Sequence, residues 1–179
     1  EKWTRFFGHH IWHQLSELEC DGSNCTIIQE NPSKNFYHPC SPEDYRALLS
    51  ELPQELTSGL KAIILRRPPA SDQRLGIEAR RRFSCVIINA FPTSNQMVWN
   101  IAPTDRDIRH YKPWCSSWVQ SEGKWVLQWS DSEIRRYYLF HLFLHELGHI
   151  NQPMFHALKR REDFAESFAL QHAAHMGVL

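Results

Sequence analysis

The chain has 179 residues, enough for one compact domain with a substantial core. Its 20 basic and 20 acidic residues cancel, which makes nucleic acid an unlikely partner, although the arginines at positions 66–67 and 80–82 form a local basic cluster. An apolar content of 42 % excludes a disordered chain, and no apolar run reaches the roughly 18 residues of a membrane span. We therefore expect one soluble domain over residues 1–179 that has no membrane partner.

The cysteines bear on the cellular compartment. There are 5 of them, an odd number without a CxxC pair, which indicates reduced thiols rather than a disulfide framework or a zinc ribbon. No signal peptide is visible, and a cytoplasmic location is expected, although the chain opens at Glu1 rather than Met, which leaves room for an upstream segment. The sequence leaves the oligomeric state open.

The N-terminal third of the chain is predicted to be helical. Apolar residues at helical spacing indicate a helix over residues 3–18. Ser41 is a typical N-cap, and the proline and two acidic residues that follow it indicate a second helix that ends before Pro53. Residues 1–58 are therefore expected to form a helical N-terminal region of unassigned role.

Strands follow, and then two long helices. A β-branched run predicts a buried strand over residues 60–65. Residues 83–91, a turn at 92–95 and a return strand over 96–101 predict an antiparallel hairpin, and residues 124–129 a further strand. One helix is expected from Asp131 or Ser132 to about Ile150, and a last one from about Arg160 to Met176. This order predicts an α+β fold with a small sheet.

The segment His145-Glu146-Leu147-Gly148-His149 is an HExxH motif inside the first of these two helices. Residues four apart on a helix share a face, so both imidazoles can bind one ion, and neutral imidazole is a preferred zinc ligand. Glu146 lies beside that face, where it can take a proton from a water whose pKa zinc has lowered. Chance occurrence of the motif is the alternative. It is disfavoured because the rest of the helix is almost wholly apolar, and a buried His or Glu is costly unless paired or metal-bound.

A third ligand is expected on the last helix. The metzincin pattern HExxHxxGxxH is excluded because Gln152 and Phe155 stand where that pattern has Gly and His, and His156 comes one residue late. Glu162 and Glu166 lie four apart on one helix face. One of them can bind the metal while the other accepts a hydrogen bond from the outer nitrogen of a ligand histidine.

The HExxH motif followed by this Glu-x-x-x-acid pair resembles the gluzincin clan of zinc peptidases, and the short spacing is similar to its compact members. The resemblance implies a zincin-like fold and one zinc ion per chain, with His145, His149 and Glu162 as ligands and Glu146 as general base. Glu166 would stand where the clan has an Asp beside the ligands. The rival assignment makes Glu166 the ligand.

A second likeness lies in the predicted hairpin. Asn89-Ala90-Phe91 and the later run Gln96-Met97-Val98-Trp99 resemble the thermolysin segment whose edge strand pairs with the peptide substrate. An exposed strand edge offers unpaired N–H and C=O groups to an extended peptide. The resemblance implies that Asn89 and Ala90 hold a peptide or protein substrate. The alternative is an ordinary buried hairpin.

Because only 13 residues follow Glu166, we expect no counterpart here to the transition-state donors of thermolysin. His156 is the first candidate for that catalytic role, followed by Tyr137 and the pair His110-Tyr111, with structural roles as the alternative for each. His141 lies one turn before His145. A partly exposed surface histidine is expected there, and a role beside the metal or substrate is the alternative. His9, His10 and His13 form a cluster that could hold a second metal.

The sequence thus favours a zinc-dependent endopeptidase of the gluzincin type. A non-catalytic regulatory or protein-binding domain that contains zinc is the second hypothesis, and a zinc-free fold with an accidental motif is the third.

Overall fold

A computed structural model describes residues 25–154 and 157–179 of the chain. The strands in chain order are β1 (Thr26–Gln29), β2 (Phe36–Tyr37), β3 (Ala62–Arg66), β4 (Ala79–Arg82), β5 (Cys85–Asn89), β6 (Phe91–Pro92), β7 (Gln96–Trp99), β8 (Trp118–Ser121) and β9 (Lys124–Gln128). The helices are α1 (Pro42–Glu51), α2 (Gln54–Thr57), α3 (Ala70–Leu75), α4 (Asp105–Tyr111), α5 (Asp131–Tyr137), α6 (Leu144–Asn151) and α7 (Leu158–His175), with a π-helical segment (Tyr138–Phe143) between α5 and α6. The class is mixed α+β, as predicted.

The largest sheet has four strands in the order β1, β3, β5, β4. The first three run parallel, and β4 runs antiparallel to β5. Strands β3 and β5 are almost wholly apolar because both faces of the sheet are covered, as is usual for parallel strands. β4 lies at the edge, and its sequence Ala-Arg-Arg-Arg is polar.

The residues of α5, the π-helical segment and α6 follow one another as a continuous helical run over residues 131–151. Ser130 caps its start through a capping box with Glu133. Its apolar side chains belong to the same core cluster as Ile63, Leu65, Val86 and Ile88 on one face of the sheet. The predicted helix over this region is therefore confirmed, with its cap one residue earlier than expected and a π-helical segment in its middle.

Most of the other predicted helices and strands are present in the structure. Ser41 caps α1 through Asp44, and α1 ends at Glu51 as expected before Pro53. The strands predicted over 60–65 and 124–129 correspond to β3 and β9. The predicted last helix corresponds to α7. The predicted helix over 3–18 lies outside the described residues.

One predicted strand pairing was wrong, and one strand lies in a region expected to be helical. β5 does not pair with β7, because β5 lies between β3 and β4, and β7 pairs with β9 in a separate three-stranded sheet. The antiparallel edge hairpin consists of β4 and β5. Residues 26–29, which fall in the region predicted to be helical, form β1 and pair with β3.

No helix in the described ranges is long and apolar enough to cross a membrane.

Candidate metal centre

Helices α6 and α7 approach each other closely at Gly148. A Cβ atom there would lie 3.1 Å from the Cα atom of Ala165 and 3.2 Å from side-chain atoms of Phe168. His145 faces Glu166, whereas His149, later in α6, faces Glu162, earlier in α7. The two helices are therefore antiparallel. This close approach brings the HExxH histidines against the glutamates of α7.

The structure brings together His145, His149 and Glu162. The Nε2 atom of His145 lies 3.4 Å from Oε2 of Glu162, and the Nε2 atom of His149 lies 3.5 Å from Oε1 of the same carboxylate. Two imidazole nitrogens and one carboxylate therefore face a common point. Glu162 is 47 % exposed, so this point is open to solvent on one side.

The outer nitrogen of each of these histidines faces an acceptor. Nδ1 of His149 lies 3.1 Å from the side-chain oxygen of Gln152, and Nδ1 of His145 lies 3.4 Å from Oε2 of Glu166. A proton on Nδ1 leaves the Nε2 lone pair free, which is the usual arrangement for metal-ligating histidine. Glu166 thus lies outside the group formed by His145, His149 and Glu162, and this geometry favours Glu162 as the ligand.

The donor set fits a zinc ion. Nitrogen and oxygen ligands at 2.0–2.2 Å from a tetrahedral zinc are about 3.3 to 3.5 Å from one another. The separations of 3.4 and 3.5 Å match this value and are longer than a good hydrogen bond. The three residues would hold the ion and leave a position open toward solvent.

Glu146 lies beside this group on α6 and is only 9 % exposed. Burial raises its pKa to about 7, while the positive charge of His145 and the backbone of Arg81 act in the opposite direction. Arg81 belongs to the edge strand β4, so β4 and Glu146 border the same site. A carboxyl with a pKa near neutrality can both accept and release a proton.

The pKa values of His145 and His149, the two candidate ligands, are shifted in opposite directions by their surroundings. Burial lowers the pKa of His145, but Glu166, Glu146 and Glu162 raise it, and the net direction is upward. Burial lowers the pKa of His149, and Gln152 opposes this only in part. For Glu166, contact with three histidines outweighs burial and lowers the pKa.

Asn89 and Ala90 are not at a sheet edge. Asn89 ends the internal strand β5 and is 2 % exposed, and Ala90 is 5 % exposed. The Asn89 side chain donates to Asp72 at 3.0 Å and to the carbonyl oxygen of Ile77 at 2.7 Å, and accepts from Arg66 at 3.3 Å. The prediction that these two residues offer an exposed edge was wrong, because β4 covers β5.

The candidate transition-state donors are placed as follows. His156 lies outside the described residues. Tyr137 is fully buried and its hydroxyl donates to Glu78 at 2.8 Å. His110 lies near Glu166, with 3.9 Å between its Nδ1 atom and Oε1 of the carboxylate. Neither Tyr137 nor His110 belongs to the group around Glu162.

His141 is 2 % exposed, so the expectation of a partly exposed surface histidine was wrong. Its helix continues through a π-helical segment there, and the ring of Tyr137 stacks on the imidazole at an interplanar angle of 13°. Burial lowers the pKa of His141 to about 3. The cluster of His9, His10 and His13 lies outside the described residues.

Gln152, Gly148 and Arg81 also belong to the site, although they were not predicted from the sequence. Gln152 follows His149 by three residues, a spacing that brings side chains together at a helix end. The role of Gly148 could have been predicted, since a glycine inside an apolar helix often marks a place where another element packs closely. No sequence feature predicted Arg81, because its position beside the site depends on which strand forms the edge of the sheet. The predicted basic cluster is partly neutralised, since Arg66 and Arg80 both pair with Asp72.

Comparison with protein-family models, with curated proteins and with solved structures gave no match for this chain.

Proposed function

We propose that the protein is a zinc-dependent endopeptidase that uses Glu146 as its general base. The observation that supports this most is the convergence of His145 Nε2 and His149 Nε2 on the two oxygens of Glu162, with Glu146 buried beside them. When bound, zinc would polarise the scissile carbonyl and lower the pKa of a water molecule. His145, His149 and Glu162 would hold it.

The chain's own groups supply the proton transfers. The carboxylate of Glu146 takes a proton from the attacking water, and the same carboxyl then gives it to the leaving amine. Burial holds the pKa of Glu146 at about 7, close to the pH at which both transfers are efficient. Gln152 orients the His149 ring through a hydrogen bond at its outer nitrogen, and Glu166 lies 3.4 Å from the outer nitrogen of His145, which favours the proton on that atom.

The edge strand β4 is the natural place for the peptide substrate. Asn89 donates its backbone N–H to the carbonyl oxygen of Glu78 at 2.8 Å. Hydrogen-bonded pairs alternate along an antiparallel ladder, so the backbone groups of Ala79 and Arg81 point away from β5. The backbone N–H of Arg81 is engaged by Glu146, so an extended peptide can pair with the backbone groups of Ala79 and with the carbonyl oxygen of Arg81 as an added strand beside Glu146.

Arg81 is also a candidate for stabilising negative charge on the reacting carbonyl oxygen. Its positive charge acts against the rise in the pKa of Glu146 and adds to the fall in the pKa of His149. A fixed cation near developing negative charge lowers the barrier of acyl transfer.

A non-catalytic zinc domain is the second candidate. Structural zinc sites are usually closed by four protein ligands. Three residues form the group within the part of the chain that the structure describes, and the third, Glu162, is 47 % exposed. This openness favours the catalytic proposal.

Digestion of an unbiased peptide library tests the proposal. The zinc-loaded chain is expected to cleave internal peptide bonds, and the chelated chain to leave the same library intact. A zinc-loaded, folded chain that cleaves no peptide would favour the non-catalytic domain.

A further inference from the structure

We propose that the chain binds a second divalent metal ion between His110, His141 and Glu166. These residues lie on α4, on the π-helical segment and on α7, respectively. One ligand atom of each lies within 4.8 Å of the others. The proposal goes beyond the single ion of the peptidase site and does not depend on peptide hydrolysis.

The distances in this group indicate ligands around an ion rather than hydrogen bonds. Nε2 of His141 lies 3.7 Å from Oε2 of Glu166, and Nδ1 of His110 lies 3.9 Å from Oε1. Both separations exceed the 2.7–3.2 Å of a hydrogen bond. Ligands that share a tetrahedral ion at about 2.1 Å lie about 3.4 Å apart, so the two imidazoles would have to approach Glu166 by only a few tenths of an ångström on binding.

The group repeats the arrangement of the first site one turn further along the helix pair. Glu162 lies between His149 and His145, and Glu166, four residues later on α7, lies between His145 and His141. His110 supplies the additional nitrogen from α4. The same combination of two imidazoles and one carboxylate therefore occurs twice in succession.

The rings at the second site are held in place before any ion binds. His141 is 2 % exposed, Tyr137 stacks on it with ring centres 5.1 Å apart, and His110 meets it edge-on at 4.7 Å. The Nδ1 atom of His141 is buried and has no hydrogen-bond partner among the described residues. No described protein group therefore fixes the tautomer of this imidazole through Nδ1, and Nε2 is the nitrogen that faces Glu166.

Imidazole and carboxylate ligands suit borderline divalent ions such as Zn²⁺, Co²⁺ and Ni²⁺. Oε1 of Glu166 faces His110, and Oε2 faces Nε2 of His141 and also lies 3.4 Å from Nδ1 of His145, so this carboxylate would bind the second ion while staying next to His145. Glu166 would thereby connect the two sites.

Titration of the chelated, full-length chain with Co²⁺ tests the proposal by counting bound ions. The variant His110→Gln is expected to bind one Co²⁺ fewer than the wild type. The control His175→Gln changes an exposed histidine at the end of α7 and should bind the wild-type number. Equal numbers for the wild type and a folded His110→Gln would overturn the proposal.

The variant His110→Cys gives a direct spectroscopic signature at the same position. A thiolate ligand at residue 110 should restore the wild-type number of ions and add a sulfur-to-cobalt charge-transfer band in the near ultraviolet. The wild type titrated in parallel accounts for any band from the native cysteines. Absence of a new band in His110→Cys would show that residue 110 binds no ion.

Discussion

Gly148 of α6 lies directly against Ala165 of α7, so close that a Cβ atom at position 148 would come within 3.1 Å of the Ala165 Cα atom. This contact sets the distance at which His145 and His149 face Glu162. The backbone of Ala165 cannot move aside as a flexible side chain would, so the spacing of the two helices depends on a glycine at this position.

Gly148→Ala should therefore lower the free energy of unfolding and weaken zinc binding. Overpacking costs about 1–3 kcal/mol, and the helix propensity of Ala returns up to about 1 kcal/mol, so a net loss of about 1 kcal/mol is expected. Zinc affinity should fall by roughly tenfold as Glu162 is displaced. Thermal unfolding and zinc competition with a chelator measure the two effects.

Gly59→Ala is the matched control, since its Cβ would meet only the Cγ2 methyl group of Ile150, at 3.0 Å, on the same helix α6. This variant should keep the zinc affinity of the wild type. Equal zinc affinities for Gly148→Ala and Gly59→Ala would show that the helix spacing at Gly148 does not matter to the site.

The two glutamates of α7 should differ in their effect on the first zinc ion. Glu162→Gln removes the carboxylate that faces both Nε2 atoms, whereas Glu166→Gln removes only the charge beside Nδ1 of His145. Loss of such an outer partner weakens zinc binding about 10- to 100-fold, and loss of Glu162 should weaken it more. Chelator competition for the tightest-bound zinc gives the order, with exposed Glu51→Gln as control. The reverse order would make Glu166 the ligand.

Asn89 should matter for stability rather than for substrate binding. Asn89→Ala removes three side-chain hydrogen bonds and leaves Asp72 and Arg66 with one partner fewer each. A loss of about 2–3 kcal/mol in the free energy of unfolding is expected, because buried polar groups lose their partner. Denaturant unfolding measures it, with exposed Asn100→Ala as control. An unchanged stability together with a raised KM would restore the substrate-holding role.

Glu78 should make stability depend on pH. Burial raises its pKa from 4.5 to about 7, against a hydrogen bond from Tyr137 that lowers it. Between about pH 4.5 and pH 7 the folded chain therefore keeps a proton on Glu78 that the unfolded chain has lost. The stabilisation from Glu78 is complete below about pH 4.5 and is lost as the pH rises through about 7. The wild type should lose about 2–3 kcal/mol relative to Glu78→Gln over this window. Unfolding of both chelated proteins across the window tests it; a constant difference would contradict the burial of this carboxyl.

The sequence predicted the elements that depend on local pattern. The HExxH helix and α7 follow from apolar spacing and capping residues, and helix geometry alone puts His145 near His149 and Glu162 near Glu166. The convergence of the two helices could be expected because the chain between them is short.

The sequence did not predict what depends on strand pairing. The three arginines of β4 do not resemble a strand, and β4 is tied to α3 by the ion pair of Arg80 with buried Asp72. With β4 at the edge, Asn89 becomes internal. His110 and Glu166 lie far apart in the chain, so their proximity also required the three-dimensional structure.

Glu146→Gln tests the central claim most directly. The glutamine keeps the shape of the side chain but cannot take a proton from water, so this variant should bind as much zinc as the wild type and lose at least about 100-fold in peptide hydrolysis. Metal analysis and peptide-library digestion of both zinc-loaded proteins make the comparison. Hydrolysis by Glu146→Gln at the wild-type rate would contradict the account.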